Sequence, residues 1–168
     1  ERCCNVINKN LYALLIGVGD YSKMNNGNLP TYKMDLALLG TALTFKLKVA
    51  QENMRLMAGD DNNGFVSTTD LARVMSGFKK MLGKEDTFIF YFSGHGSDKS
   101  LVFSDGQVEL QSVINFIEQL PAKNKVIILD CCYAGRFKAS AVNKIIVHKR
   151  KHLKFIVPVK GVGNQLFF

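Results

Sequence analysis

The sequence predicts an α/β fold, a mostly parallel central sheet with helices on both faces. Three observations carry this. Residues 11–18, 87–92 and 125–129 are short, almost wholly apolar runs, the pattern of strands buried on both sides. The segments between them repeat their apolar residues at helical spacing, and strands alternating with helices imply right-handed crossovers and parallel pairing. The chain has 168 residues, 47% hydrophobic and 21% charged, enough for one core and too apolar for a disordered segment.

Each element has its own warrant. Residues 11–18 (LYALLIGV) form a continuous apolar run closed by Gly19. Residues 25–30 are polar and turn-rich and read as a loop. Asp35 then opens a segment with Leu36, Leu39, Leu43 and Leu47 near helical spacing. An acid in the first turn suits the helix dipole, so an amphipathic helix is expected. A short strand is expected over residues 53–57, ending in a loop at 59–64. Ser67, Thr68 and Asp70 supply helix-start chemistry, and Leu71, Val74, Met75, Phe78, Met81 and Leu82 follow as an apolar stripe that reads as core. Residues 87–92 (TFIFYF) are β-branched and aromatic, hence a strand, and run into Ser93-Gly94-His95-Gly96. Leu110, Val113, Ile114 and Ile117 mark a third helix that stops before Pro121. Residues 125–129 (KVIIL) form another strand, running into Asp130-Cys131-Cys132-Tyr133-Ala134-Gly135. Beyond Phe137 the pattern loosens, with strands expected at 144–147 and 155–159 around the basic run His148-Lys149-Arg150-Lys151-His152.

Charge and cysteine usage narrow the class. Residues 1–135 hold 14 basic and 14 acidic side chains, whereas residues 136–168 hold eight basic and no acidic ones, so the whole net charge of +8 lies in the tail. A nucleic-acid face is normally built into the fold with aromatics interleaved, so the tail reads as a solvated basic segment, with polyanion binding as a rival reading. The four cysteines form two adjacent pairs, Cys3/Cys4 and Cys131/Cys132, which cannot staple distant segments as a secreted framework does. A reducing compartment is expected. No CxxC or HxxxH spacing accompanies the cysteine pairs to suggest a metal, and His148 and His152, lying in a basic run, read as surface residues. No apolar run approaches the roughly 20 residues that span a bilayer, no signal peptide is read ahead of the first strand, and with Glu1 at the head an upstream start is expected.

In sheets of this kind ligands bind at the carboxyl ends of the strands. The clusters around His95 and Cys132 both follow buried strands, which puts an imidazole and a thiol on one sheet edge by topology alone. A thiol attacks an amide as thiolate, its ordinary pKa near about 8.5 falls beside an imidazolium, and the imidazole can return a proton to the leaving amine. Glycines flanking His95 let a substrate backbone approach and leave the Gly96 amide for an oxyanion. Alone, His95 reads as a hydrogen-bonded strand-end histidine and Cys132 as a small buried residue; together they read as a dyad.

The block Tyr91-Phe92-Ser93-Gly94-His95-Gly96, followed by Ile128-Leu129-Asp130-Cys131-Cys132-Tyr133-Ala134-Gly135, resembles the caspase and metacaspase superfamily of cysteine peptidases, especially its prokaryotic and metacaspase-like branch. The resemblance covers about residues 11–137. It implies a caspase-haemoglobinase fold, with His95 as catalytic base and acid, Cys132 as nucleophile, and the amides of Gly96 and Cys132 as the oxyanion hole. The family's D-x-C pattern assigns the nucleophile to Cys132 and leaves Cys131 as its variable neighbour. Metacaspases also carry two acids that line the S1 pocket and select Arg or Lys, and Asp35 and Asp130 match their places. Read without the family, Asp35 is a helix-start acid and Asp130 a strand-end turn former. Caspases proper have glutamine at the second place and select Asp, which Asp130 argues against.

The sequence also departs from the family. Tyr133 and Ala134 stand where metacaspases often have His and Ser. Residues 97–106 offer only Asp98 and Asp105 where many metacaspases have a calcium-binding acidic stretch. Residues 59–64 resemble half a calcium loop, but Gly59 occupies the first ligand's place, so they read as a turn. Gly17-Val18-Gly19 lacks the third glycine of a dinucleotide site. No cofactor and no metal are expected. Residues 1–137 read as the large-subunit catalytic domain, and 138–168 as a basic tail with the first strand of an incomplete small-subunit portion. A truncated form, a fragment and a subunit with a partner all stay open.

The expected function is a cytoplasmic cysteine endopeptidase that cuts protein or peptide substrates after Arg or Lys through an acyl-enzyme. Its expected partners are a small-subunit chain or a second copy, with no membrane and no nucleic acid. An inactive or partner-dependent regulatory module with the same fold is the first rival, and a polyanion binder the second. The basic cluster falls where caspase-like chains are cut, so processing within residues 144–154 is weighed equally against an uncut solvated run.

Overall fold

The computed structural model describes residues 7–131 and the backbone of residues 144–149 and 152–156. The chain runs β1 (Leu11–Gly17), α1 (Tyr32–Phe45), β2 (Met54–Met57), α2 (Thr68–Met81), β3 (Thr87–Ser93), β4 (Ser100–Val102), β5 (Gln107–Glu109), α3 (Leu110–Glu118), β6 (Asn124–Asp130), β7 (Lys144–Lys149) and β8 (His152–Ile156). Six strands form one sheet in the order β2-β1-β3-β6-β7-β8, and β4 and β5 form a separate hairpin. Every neighbouring pair in the large sheet is parallel except the last, β7 with β8. The expected architecture, a mostly parallel sheet with helices on both faces, is present.

The period-two alternation of β3 builds both layers of core. Phe88, Phe90 and Phe92 point to the side covered by α2 (Leu71, Met75, Phe78) and α3 (Val113, Ile114, Ile117). Ile89 and Tyr91 point to the side covered by α1 (Tyr32, Leu36, Leu43). The register pairs Gly17 with Ser93 and Ser93 with Asp130, so the carboxyl ends of the three central strands finish level. That alignment brings the segments after β1, β3 and β6 to one edge. A loop after β2 joins them there, because Gly64 O accepts from the N–H groups of Gly19 and Asp20, both at 3.0 Å. Gly59 (φ +80°) and Gly64 (φ +86°) bracket that loop, which is the expected turn.

Four expectations are adjusted. The first helix starts at Tyr32 rather than Asp35, and it is apolar nearly all round. Leu36 and Leu43 are buried as expected, but Met34, Leu38 and Phe45 stand 66%, 67% and 66% exposed on the other side. Leu47 lies beyond the helix end, since Phe45 closes α1. The hairpin β4–β5 carries no sequence signal, because strands of three residues are too short for an alternation to register. The last strand starts at His152 instead of residue 155, and its register pairs Lys149 with His152. The basic run therefore lies largely within paired strands, with only residues 150 and 151 between them. As the sheet's edge strand, β8 can carry such residues, since charge on an edge discourages further pairing.

The Gly17-Val18-Gly19 signal has a packing cause. A Cβ at Gly17 would come 2.8 Å from Leu36 Cδ1, and one at Gly19 would overlap the Tyr32 ring. These glycines let α1 close onto the end of β1. Among the described residues no helix is long and apolar enough to cross a membrane.

Candidate active site

His95 is reached from β3 through Gly94, and the neighbours leave no room for a larger residue at that step. A Cβ on Gly94 would lie 2.6 Å from the Tyr21 hydroxyl and 2.9 Å from the Phe92 ring. The Gly94 N–H donates to Asp130 O at 3.3 Å, which carries the β3–β6 pairing one residue past the strand. His95 itself is half-buried and held at several atoms. Its N–H donates to the Tyr21 hydroxyl at 2.7 Å, its carbonyl accepts from Val102 N–H at 3.0 Å, and its Nε2 lies 2.6 Å from Gly27 O. A carbonyl can only accept, so Nε2 is assigned the proton and Nδ1 the lone pair of the neutral ring.

Tyr21 packs beneath this histidine, with ring centroids 4.5 Å apart and planes tilted by 57°. It is fully buried. Burial pushes its hydroxyl well above the usual tyrosine range; the hydrogen bond from His95 opposes this, and the nearby Cys131 adds to it. The hydroxyl therefore stays neutral, accepting from His95 and donating to Val102 O at 3.2 Å.

Gly96 forms a bridge with Leu101. The hydrogen bonds that make it run on either side of Gly96, from Val102 N–H to His95 O and from Ser97 N–H to Ser100 O. Neither uses the Gly96 N–H.

The two acids converge from different elements. Asp35 lies in the first turn of α1, and its Oδ2 accepts from Ser93 Oγ at 2.7 Å. Asp130 ends β6, and its Oδ2 lies 3.5 Å from the Tyr91 hydroxyl, which donates to it. Tyr91 and Ser93 are alternate residues of β3, so they share the face toward α1. Burial, then the negative charges of Asp130 and Asp35, push the Tyr91 hydroxyl above its ordinary range. Both carboxylates thus act on one phenol. Each acid is half-buried.

Of the residues singled out in the sequence, the fold brings His95, Gly96, Asp35 and Asp130 to one sheet edge. Cys132 lies outside the described residues; its neighbour Cys131 is buried against the core on the α2 and α3 side. Tyr21, Tyr91, Ser93 and the Gly27 carbonyl were not anticipated. The alternation of β3 could have placed Tyr91 and Ser93 on one face. Nothing local marks Tyr21, and a backbone carbonyl has no signature in sequence. A shallow concavity lined by Lys9, Asn10, Leu47 and Lys48 lies at the opposite end of β1 and holds none of these groups. Among the described residues no group of three or more His, Cys, Asp or Glu side chains is arranged to hold a metal ion.

Chemically, this edge offers an imidazole of fixed tautomer, an amide N–H outside the local ladder and two carboxylates around a buried phenol. A protein-family model described as the caspase domain matches residues 10–156. No curated protein matches the chain.

Proposed function

The chain belongs to the caspase domain family of cysteine peptidases, and from that premise we propose that it is an endopeptidase cutting after Arg or Lys, with Cys132 as nucleophile and His95 as its base. The observation that carries the specificity is the convergence of Asp35 and Asp130 on adjacent same-face residues of β3, at the strand end that leads to His95. A P1 guanidinium can be forked by a carboxylate, whereas an acidic P1 side chain would set like charges together.

In this reading His95 Nδ1 accepts the Cys132 thiol proton, and the thiolate adds to the substrate carbonyl carbon. The negative oxygen that forms takes a hydrogen bond from the Gly96 N–H. The tetrahedral species collapses, the C–N bond breaks, and His95 returns the proton to the leaving amine, giving the acyl-enzyme. Water then adds to the thioester, losing a proton to His95, and releases the acid and the thiol. Gly27 O supports the reading by keeping the proton on Nε2, so that Nδ1 faces the chemistry as a base. A reducing, cytoplasmic setting would keep the thiol available.

Covalent labelling with a peptidyl-Arg electrophile, read by intact mass beside Cys132→Ala, tests the nucleophile: one adduct in the wild type and none in the variant is expected. A panel of peptides differing only at P1 tests the pocket. Cleavage after Asp in preference to Arg would sink the specificity, and labelling that persists in Cys132→Ala would reassign the nucleophile.

A further inference from the structure

We propose that Tyr21 is a positioning residue for His95, acting through its hydroxyl. The proposal deepens the reading above, since it rests on His95 being the catalytic base. Three observations carry it. The hydroxyl is fully buried and placed between two backbone groups, accepting from His95 N–H at 2.7 Å and donating to Val102 O at 3.2 Å. The same ring lies under the imidazole, 4.5 Å away, so one side chain fixes both the main chain and the plane of His95. The third observation is the closure of the loop after β1. Tyr21 N–H donates to Asn28 Oδ1 at 2.8 Å, and Leu29 N–H donates to Gly19 O at 2.9 Å. Asn28 adjoins Gly27, whose carbonyl holds His95 Nε2.

The loop therefore grips the histidine at two points, the N–H through Tyr21 and the ring through Gly27, and Asn28 ties those points together. Among the described residues, the titratable neighbours that act on the hydroxyl are His95 itself and Cys131. A neutral phenol can serve both backbone groups at once because its oxygen accepts while its proton is donated. Phenylalanine would fill the same space and leave His95 N–H without this acceptor. Displacing a reacting group by about an ångström costs on the order of 100-fold in rate, so small freedom at His95 suffices to slow the chemistry.

Tyr21→Phe is expected to lower kcat about 10- to 100-fold with KM for an Arg peptide changed less than about threefold, because the hydroxyl holds the backbone of His95 and Val102 and not the acids. Tyr32→Phe is the matched control. It removes the hydroxyl of another buried tyrosine, one that donates to Asn62 O at 2.6 Å instead of holding His95. It should cost thermal stability without moving kcat. Asn28→Ala lies on the exposed loop, leaves the core intact, and should lower kcat in the same direction by less. The decisive readout does not need activity: the His95 ring proton resonances and their titration, followed by NMR in each chain, should move in Tyr21→Phe and Asn28→Ala and stay in Tyr32→Phe. If Tyr21→Phe fails to fold, Asn28→Ala decides by the same measurement. Unchanged His95 resonances with unchanged kcat in the Tyr21 and Asn28 variants overturn the proposal, as would an equal loss of kcat in Tyr32→Phe. A wild type inert toward peptides and electrophiles would defeat the functional reading instead, and the titration would still decide the role of Tyr21.

Discussion

The two faces of β3 begin alike and end differently. On the side of α2 and α3, Phe88, Phe90 and Phe92 are fully buried, and Phe78 and Phe103 pack against the first and last of them at ring-centroid distances of 5.0 and 5.4 Å. On the side of α1, Ile89 gives way to Tyr91 and then Ser93, whose hydroxyls reach Asp130 and Asp35. The first face is buried and apolar along its whole length. The second turns polar over its last two inward positions, at the strand end where α1 contributes a carboxylate instead of a leucine. A strand buried on both sides can thus divide its duties, one face packing the core and the other gathering polar groups at its end.

Substitutions on each face should have opposite signatures. Phe90→Ala should have the largest effect on stability, about 3–5 kcal/mol by urea unfolding, because it removes a whole ring from a close-packed layer. Such a loss can exceed half of a domain's net stability, so low soluble yield is an acceptable form of the result. A cost below about 1 kcal/mol would show that the aromatic layer is not the fold's main support.

Asp130→Ala should do the reverse. Stability should change by less than about 1 kcal/mol, since the carboxylate is half-buried at a strand end, whereas kcat/KM for an Arg peptide should fall on the order of 100-fold. Ser93→Ala is expected to be milder, about fivefold in the same constant, because it removes one hydrogen bond to the Asp35 carboxylate and leaves the carboxylate in place. Equal losses for Arg and uncharged P1 peptides in both variants would indicate disturbed chemistry rather than a lost pocket.

A smaller effect lies wholly on the structural face, at the start of α2. Ser67 Oγ accepts from Asp70 N–H at 3.0 Å and donates to the Asp70 carboxylate at 2.7 Å. These bonds and Arg73 hold the Asp70 carboxyl below its ordinary value. Ser67→Ala should cost about 1 kcal/mol, or roughly 2–4 °C in Tm, with peptidase activity unchanged. A lowered carboxyl contributes stability above its unfolded pKa, near about 3.9, and loses it as pH falls through the folded value. The stability gap between wild type and Asp70→Asn should therefore narrow below about pH 4. A gap that widens with acid would contradict the sign.

The smallest effect expected is none. The register pairs β7 with β8 from Ile145 with Ile156 to Lys149 with His152, and a peptidase groove takes its substrate as a single extended strand. Cutting within residues 144–154 would require that pair to open, so purified protein held at working temperature should keep its intact mass. A cut after a basic residue there, absent in Cys132→Ala, would restore self-processing.

Much of this was legible from sequence because it depends on local periodicity. The apolar runs of β1, β3 and β6, the stripe of α2 and the strand-end positions of His95 and Asp130 follow from hydrophobic burial and the geometry of parallel sheets, which need no knowledge of neighbours. Gly94 is likewise visible as a point where no side chain fits. What only the tertiary structure decided are contacts between segments far apart in the chain. Tyr21 meets His95 across 74 positions and Ser93 meets Asp35 across 58. Neither pairing leaves a periodic trace, since each needs a single residue at a single height. The true cause of Gly17 and Gly19, room for Tyr32 and Leu36, appears only once α1 is docked. The histidine tautomer depends on a carbonyl that any residue at position 27 would carry, so the sequence could supply the imidazole but not which of its nitrogens carries the proton.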